Sequence, residues 1–336
     1  MQKPHLLLIV VAFALGALGC SLLSSAPPTP VPPAPTEAPP TQAHPTQAAP
    51  TKPAPTQVPT AVPSLTPAPT EPPTTPTAAR LTAEDLKNAE YYLPQYTRTV
   101  KLVDGSYESG SGADYIFAKL VEPIAFGDLN GDGLEDAAVL LAENGGGSGV
   151  FVSAVVMLNE NGHPVQSSNI LIDDRPKIDN LVIDGGQIVV TAVVHGPSNP
   201  GCCPDFPVTE TYAWTPTNLV LVRLSSKTPE GAERSIRLDQ PAPGTEVSGS
   251  TRVQGTFTIS PFENTLTYRA VDGYGKTLAQ GSVMARSDGL GGPGLFDAAV
   301  DLGGVPPGTQ VWLEIADVSP ADGSPLALDS ALVTVK

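Results

Sequence analysis

The chain has 336 residues, room for two or so domains, but its 38 prolines crowd one region and shorten the part that can build a core. Lysine and arginine total 18 against 34 aspartates and glutamates, a net charge of −16 at pH 7. Such a surface repels phosphate backbones, and with no basic stripe or aromatic ladder the sequence excludes nucleic acid as a partner; cations and carbohydrate suit it better.

At the amino end Lys3 and His5 precede an apolar run from Leu6 to Leu18, which stops at Gly19-Cys20 ahead of Ser-rich sequence. The run of about thirteen residues is short of the roughly twenty that cross a bilayer as a helix, so residues 1–20 read as a secretory signal. Small residues ahead of a cysteine resemble the lipobox of bacterial lipoproteins, whose cysteine is acylated and becomes the first mature residue. Ala17 stands where that family usually has Leu, and Leu18 where it has a small residue; ordinary signal-peptidase cleavage is the alternative. The resemblance implies lipid on Cys20 and an extracytoplasmic, surface-exposed protein held to a cell membrane or outer membrane.

Residues 21–80 then cycle through Pro, Thr, Ala and Gln, as in Pro45-Thr46-Gln47-Ala48-Ala49-Pro50, with hardly a large apolar side chain. Such sequence cannot bury enough surface to fold. It predicts an extended spacer at about 3.1 Å per residue, on the order of 150 Å long, enough to clear a cell-wall layer.

The core-forming part begins near Leu81, and a first domain is expected over residues 81–224. Thr82 reads as a helix cap, with Glu84 and Asp85 in the first turn and Leu86, Ala89, Tyr92 and Leu93 at helical spacing. After Pro94 the pattern changes to β-branched runs. Strands are predicted at Thr97–Val103, Tyr115–Phe126, Asp136–Ala142, Val150–Asn159, Leu181–Ile183, Gln187–His195, Val208–Trp214 and Asn218–Leu224. Tight turns such as Asn161-Gly162 and Asp184-Gly185-Gly186 make successive strands antiparallel, so the expected fold is a twisted meander with one helix.

Within it, Phe126 to Asp136 carries the clearest chemistry. Counted from Asp128, oxygen-bearing side chains fall at positions one, three, five and nine (Asp128, Asn130, Asp132, Asp136), and Gly133 at position six allows a sharp turn. With the Leu134 carbonyl and water they compose an oxygen set of the kind Ca²⁺ takes. Position twelve is Val139, so the bidentate glutamate of an EF-hand is missing and no helix–loop–helix is expected. The local sequence, including Phe126-Gly127, resembles the FG-GAP loop of integrin-type propeller blades. A single copy implies the loop and not the propeller. The alternative is a tight turn without metal.

Cys202-Cys203-Pro204 follows. With Cys20 lipidated these are the remaining thiols, and an oxidising location favours their pairing, although adjacent Cα atoms lie only about 3.8 Å apart, below the usual disulfide range. A reactive cysteine would need a base, and His195 is the nearest histidine in sequence; a structural staple is the plainer reading. The acidic loop together with His195-Gly196, Cys202-Cys203-Pro204, Tyr212 and Trp214 is similar to a group of uncharacterised bacterial lipoproteins, which implies location and brings no activity.

Residues 235–336 show turn signals every eight to twelve residues and seven short strands, at Ile236–Leu238, Arg252–Thr258, Thr265–Val271, Thr277–Val283, Leu295–Asp301, Gln310–Ala316 and Ala331–Val335. Alternation sets Val253, Gly255 and Phe257 on one face, opposite Val311, Leu313 and Ile315. The order Gln240-Pro241-Ala242-Pro243-Gly244, Gly255-Thr256, Phe262-Glu263-Asn264, Asp272-Gly273, Phe296 and Asp322-Gly323-Ser324 resembles the immunoglobulin-like domain of bacterial spore germination proteins. That family is a binding or assembly module of envelope proteins without catalytic residues.

The expected fold class is therefore mainly β: an α+β domain followed by an immunoglobulin-like β-sandwich. The expected function is a lipid-anchored, non-enzymatic surface protein that presents both modules to an envelope protein or polysaccharide. The sequence holds no nucleophile elbow, His-rich metal set or phosphate loop. An envelope enzyme acting on carbohydrate through an unidentified carboxylate pair is the alternative.

Overall fold

The computed structural model describes residues 79–197, 201–289 and 291–336; the signal segment, Cys20 and the spacer up to residue 78 lie outside them. The described chain is mainly β with one short α-helix. No helix among the described residues is long and apolar enough to cross a membrane.

Thr82 starts that helix, α1 (Ala83–Lys87). Its hydroxyl accepts the Asp85 N–H at 3.2 Å while the Asp85 carboxylate accepts the Thr82 N–H at 2.9 Å, a reciprocal capping box. The helical spacing read through Ala89, Tyr92 and Leu93 does not hold. Helix α1 stops at Lys87, and Tyr91 and Leu93 point inward from β1 (Glu90–Leu93), which pairs antiparallel with β2 (Arg98–Lys101). One helical turn is too short to be stable by itself, and burial of Tyr91 and Leu93 at period two decides for strand.

Next comes a five-stranded antiparallel sheet in chain order: β3 (Ser106–Ser109), β4 (Ile116–Gly127), β5 (Asp136–Asn144), β6 (Phe151–Glu160) and β7 (His163–Asp174). The central strand β5 is buried along all but its last residue. Its two faces serve two cores. Ala137, Val139 and Leu141 pack with Leu86, Tyr91 and Leu93, whereas Ala138, Leu140 and Ala142 pack with Ala154, Val156 and the next layer. A strand covered on both sides reads as a continuous apolar run, which is what residues 137–142 show.

That next layer is β8 (Lys177–Asp184), β9 (Gln187–Val194), β10 (Phe206–Thr215) and β11 (Asn218–Lys227), again paired as successive hairpins. It lays Leu181, Ile188, Val190, Val208 and Tyr212 against the five-stranded sheet. The single meander expected from the sequence is thus two meanders packed face to face. The chain changes layer after β7, at Arg175 (φ 53°) and Pro176. A single flat sheet would have left one face of β5 in water.

The remaining strands are β12 (Glu233–Arg234), β13 (Ile236–Gln240), β14 (Glu246–Val247), β15 (Ser250–Phe257), β16 (Thr265–Val271), β17 (Thr277–Ser287), β18 (Gly294–Asp301), β19 (Gln310–Val318) and β20 (Pro325–Val335). They form a sandwich in which β13, β15 and β18 face β16, β19 and β20, with β17 pairing into both layers. All seven strands read from the sequence are present. Val253 and Phe257 meet Val311, Leu313 and Ile315 in one core, as alternation predicts. Gly255 shares their strand because a side chain there would collide with the Arg237 carbonyl and the Phe296 ring.

The two modules are joined edge to edge. β11 runs past Leu224 to Lys227 and pairs with β20 through Arg223↔Asp329 and Leu224↔Leu328, so one sheet continues from β8 to β17. Ala316 and Leu328 of the sandwich belong to the core of the first module. The seam is also polar. Asp329 receives Arg223 Nε at 3.1 Å and the Leu238 N–H at 2.8 Å, Arg234 Nη1 lies 2.5 Å from Asp317 Oδ2, and Ser226 Oγ donates to the Leu326 carbonyl at 2.6 Å.

Candidate functional site

The acidic loop joins β4 to β5. Asp128 accepts the N–H groups of Gly131 (2.7 Å) and Gly133 (3.0 Å) on its two oxygens, Asn130 Oδ1 accepts the Asp132 N–H (2.9 Å), and Asp132 Oδ1 accepts the Leu134 N–H (2.7 Å). Gly131 and Gly133 take φ of 79° and 84°, where a side chain would be strained. The side chains therefore organise the turn themselves, each short polar group holding a backbone donor two to five residues on. On the far side the loop rests on the β8–β9 turn: a Cβ at Gly127 would lie 2.6 Å from Ile183 Cγ2, and one at Gly186 would lie 3.5 Å from the Asp128 carbonyl.

Asp136, expected among the cation ligands, sits beneath the turn and is 0% exposed. It engages both oxygens with backbone, accepting the Leu129 N–H at 3.0 Å and the Asn159 N–H at 2.9 Å. Asn159 extends the network. Its Nδ2 donates to the carbonyls of Ala79 (2.9 Å) and Glu135 (3.2 Å), and its Oδ1 accepts the Gly162 N–H (2.7 Å). Asp128, Asn130, Asp132 and the Leu134 carbonyl share the turn, an all-oxygen set whose chemistry suits a hard cation. Among the described residues no three His, Cys, Asp or Glu side chains form a group that could hold a metal. In the geometry described, the loop holds itself through hydrogen bonds, and Asp136 is its support. Asn159 carried no signal in the sequence, because it reaches the loop across a sheet.

Cys202 and Cys203 are joined in a disulfide with Cα atoms 3.8 Å apart, and both residues are exposed. The neighbouring Gly201 carbonyl accepts Arg175 Nη2 at 2.6 Å, and Arg175 also pairs with Asp174 at 2.7 Å, holding that carboxyl below the usual range. His195 is held by Asp173: one oxygen, Oδ2, accepts the His195 N–H (2.5 Å) and lies 2.8 Å from Nδ1. That contact fixes the ring's orientation, and its Nε2 is buried with no hydrogen-bond partner among the described residues. Nearby on β10, the Tyr212 hydroxyl donates to Glu210 at 2.8 Å, and burial pushes both groups upward. Asp173 and Glu210 had no sequence signal, since neither lies near a motif.

A groove of about 660 Å³ separates α1 and the outer face of β1–β2 from the start of β7. Glu90, Tyr92, Thr99 and Lys101 line one wall and His163, Val165 and Gln166 the other.

These sites sit on a protein of two β modules, the second with the layered build of an immunoglobulin-like sandwich. Residues 235–324 are similar to the family described as the immunoglobulin-like domain of bacterial spore germination. The matched stretch ends one residue before β20, so the strand that closes the sandwich and joins it to β11 lies beyond it. No curated protein matches the chain.

Proposed function

We propose that the chain is a lipid-anchored surface protein of the cell envelope, without catalytic activity, whose two fused modules bind or assemble with an envelope protein or polysaccharide. The observation that carries the binding part is the match of residues 235–324 to an immunoglobulin-like domain, a sandwich architecture shared by many cell-surface domains, while the anchor rests on the lipobox-like stretch ending at Cys20. The edge-to-edge seam supports it, because it makes a stiff platform of two modules. On this reading Cys20 carries the lipid and residues 21–80 hold the platform away from the membrane. The alternative, hydrolysis of carbohydrate by a carboxylate pair, draws little support from the acids of the groove. Asp85 serves the cap of α1 and Glu84 Oε1 accepts Asn88 Nδ2 at 2.8 Å, so two of the carboxylates there already have structural tasks.

The anchor is tested by Cys20→Ser. The variant should be released from membranes or accumulate as unprocessed precursor, with the folded modules intact. Membrane retention of a fully processed variant would overturn lipidation.

Calcium belongs to the same proposal, as a clamp on the β4–β5 turn held by Asp128, Asn130, Asp132 and the Leu134 carbonyl above Asp136. An extracellular module needs an affinity on the order of 10⁻⁴ M. At tenfold excess over that constant the linkage is about 1.4 kcal/mol, which moves a melting midpoint by about 3–6 °C in a unit of this size. Asp132→Ala should abolish the shift. A midpoint that ignores both calcium and chelator in scanning calorimetry would reduce the loop to a hydrogen-bonded turn.

A further inference from the structure

We propose that the groove between α1, the β1–β2 hairpin and β7 binds a neutral oligosaccharide, with the Tyr92 ring as its platform; this rests on the reading of the chain as a surface binding protein. Along β1 the side chains alternate. Tyr91 is fully buried, and Tyr92 next to it turns its ring outward, 42% exposed. The backbone beneath the ring is held from across the groove: Gln166 Oε1 accepts the Tyr92 N–H at 2.7 Å and its Nε2 donates to the Tyr92 carbonyl at 3.5 Å. A ring set on a pinned strand loses little freedom when a ligand covers it.

The surroundings define the ligand class. Glu90 is the cross-strand partner of Lys101 and Tyr92 that of Thr99, so a carboxylate, an ammonium and a hydroxyl flank the ring on one face of the hairpin. His163 and Val165 stand opposite. Of the three carboxylates in the lining, Asp85 and Glu84 are held within α1 by Thr82 and Asn88, which leaves Glu90 beside Lys101 and suits neither a polyanion nor a cation, and the polar rim does not suit a purely apolar molecule. A sugar ring presents a C–H face to stack on an aromatic ring and an edge of hydroxyls for donors and acceptors, and that is the combination present. The volume lies within the range of small-ligand sites.

The test uses the full chain in titration calorimetry with two neutral probes, N-acetylated chitotetraose and cellotetraose. At least one should bind, and Tyr92→Ala should weaken it about tenfold or more, as loss of an aromatic anchor does. Tyr92→Phe should stay within a few-fold, because the ring face remains. Tyr274→Ala, at an exposed tyrosine on the β16–β17 turn of the other module, should change nothing. Absence of binding to both probes overturns the inference, as does binding that survives Tyr92→Ala. Retention of the protein on isolated envelopes is measured alongside: if it persists without sugar binding, the groove assignment fails while the surface-binding reading stands.

Discussion

Replacing Asp136 by alanine is expected to destabilise the protein by about 3–5 kcal/mol in urea unfolding, and by the same amount in chelator as in calcium. The carboxylate is wholly buried and is the acceptor for two backbone donors, Leu129 N–H and Asn159 N–H. Alanine leaves both without a partner in a place water does not reach, and an orphaned buried donor costs about 1–3 kcal/mol. The Asn159 network that ties Ala79, Glu135 and Gly162 together loosens with it. Asp132→Ala makes the contrast. Its bonds to Leu134 N–H and Asn130 Nδ2 are exposed, so its cost in chelator should stay within about 1 kcal/mol. A loss of less than about 1 kcal/mol for Asp136→Ala in chelator would show that the two backbone bonds contribute little, and a larger loss confined to calcium would make Asp136 a metal ligand.

The second large effect concerns pH. Glu143, near the end of β5, is 1% exposed, and its Oε2 has no hydrogen-bond partner. Burial raises its pKa from 4.5 to about 7. The folded state then keeps a proton that the unfolded chain releases, so the stabilisation is complete below about pH 4.5 and is lost as pH rises through 7. The loss amounts to about 3 kcal/mol by pH 8. Tyr96 lies close enough to feel the charge, and its hydroxyl is pushed up by burial and by Glu143. Glu314 contributes in the same direction, since burial lifts it to about 7 against the pull of Arg269 at 2.9 Å. The measured quantity is therefore the difference between wild type and Glu143→Gln, taken as urea midpoints at pH 5 and pH 8. The variant should lose less stability over that interval. Parallel pH profiles for the two proteins would mean that Glu143 is hydrated and ordinary.

Both predictions concern side chains whose importance comes from the fold. In the sequence Asp136 is the last oxygen of a cation loop and Glu143 is one acid among many. β5 carries them to buried positions because it lies between two cores, and it does so because α1, β1 and β2 cover one face and β8–β11 the other. No local pattern reports that a strand will be covered twice. The same blindness explains β7, which no sequence run predicted. His163–Asp174 contains Pro164, Ser167, Ser168 and Asn169 and lacks clean alternation, yet it pairs along β6 through its backbone as the edge of the sheet. Edge strands tolerate such composition because one side of them needs no ladder partner.

What the sequence determined by itself was local. It set the hydrogen-bonding turn at Asp128 to Gly133, the cap at Thr82, and the seven strands of the sandwich with their inward faces, because alternation over a few residues states directly which side chains need burial. The tertiary structure alone decided how those pieces meet: two meanders stacked rather than one, Asn159 under the acidic loop, Asp173 on His195, and the seam of β11 with β20. Arg223 and Asp329 are 106 residues apart in the chain. Their pairing depends on two strand edges and two apolar faces matching across the seam. The period of hydrophobic residues says that a face must be covered and leaves open which distant segment covers it.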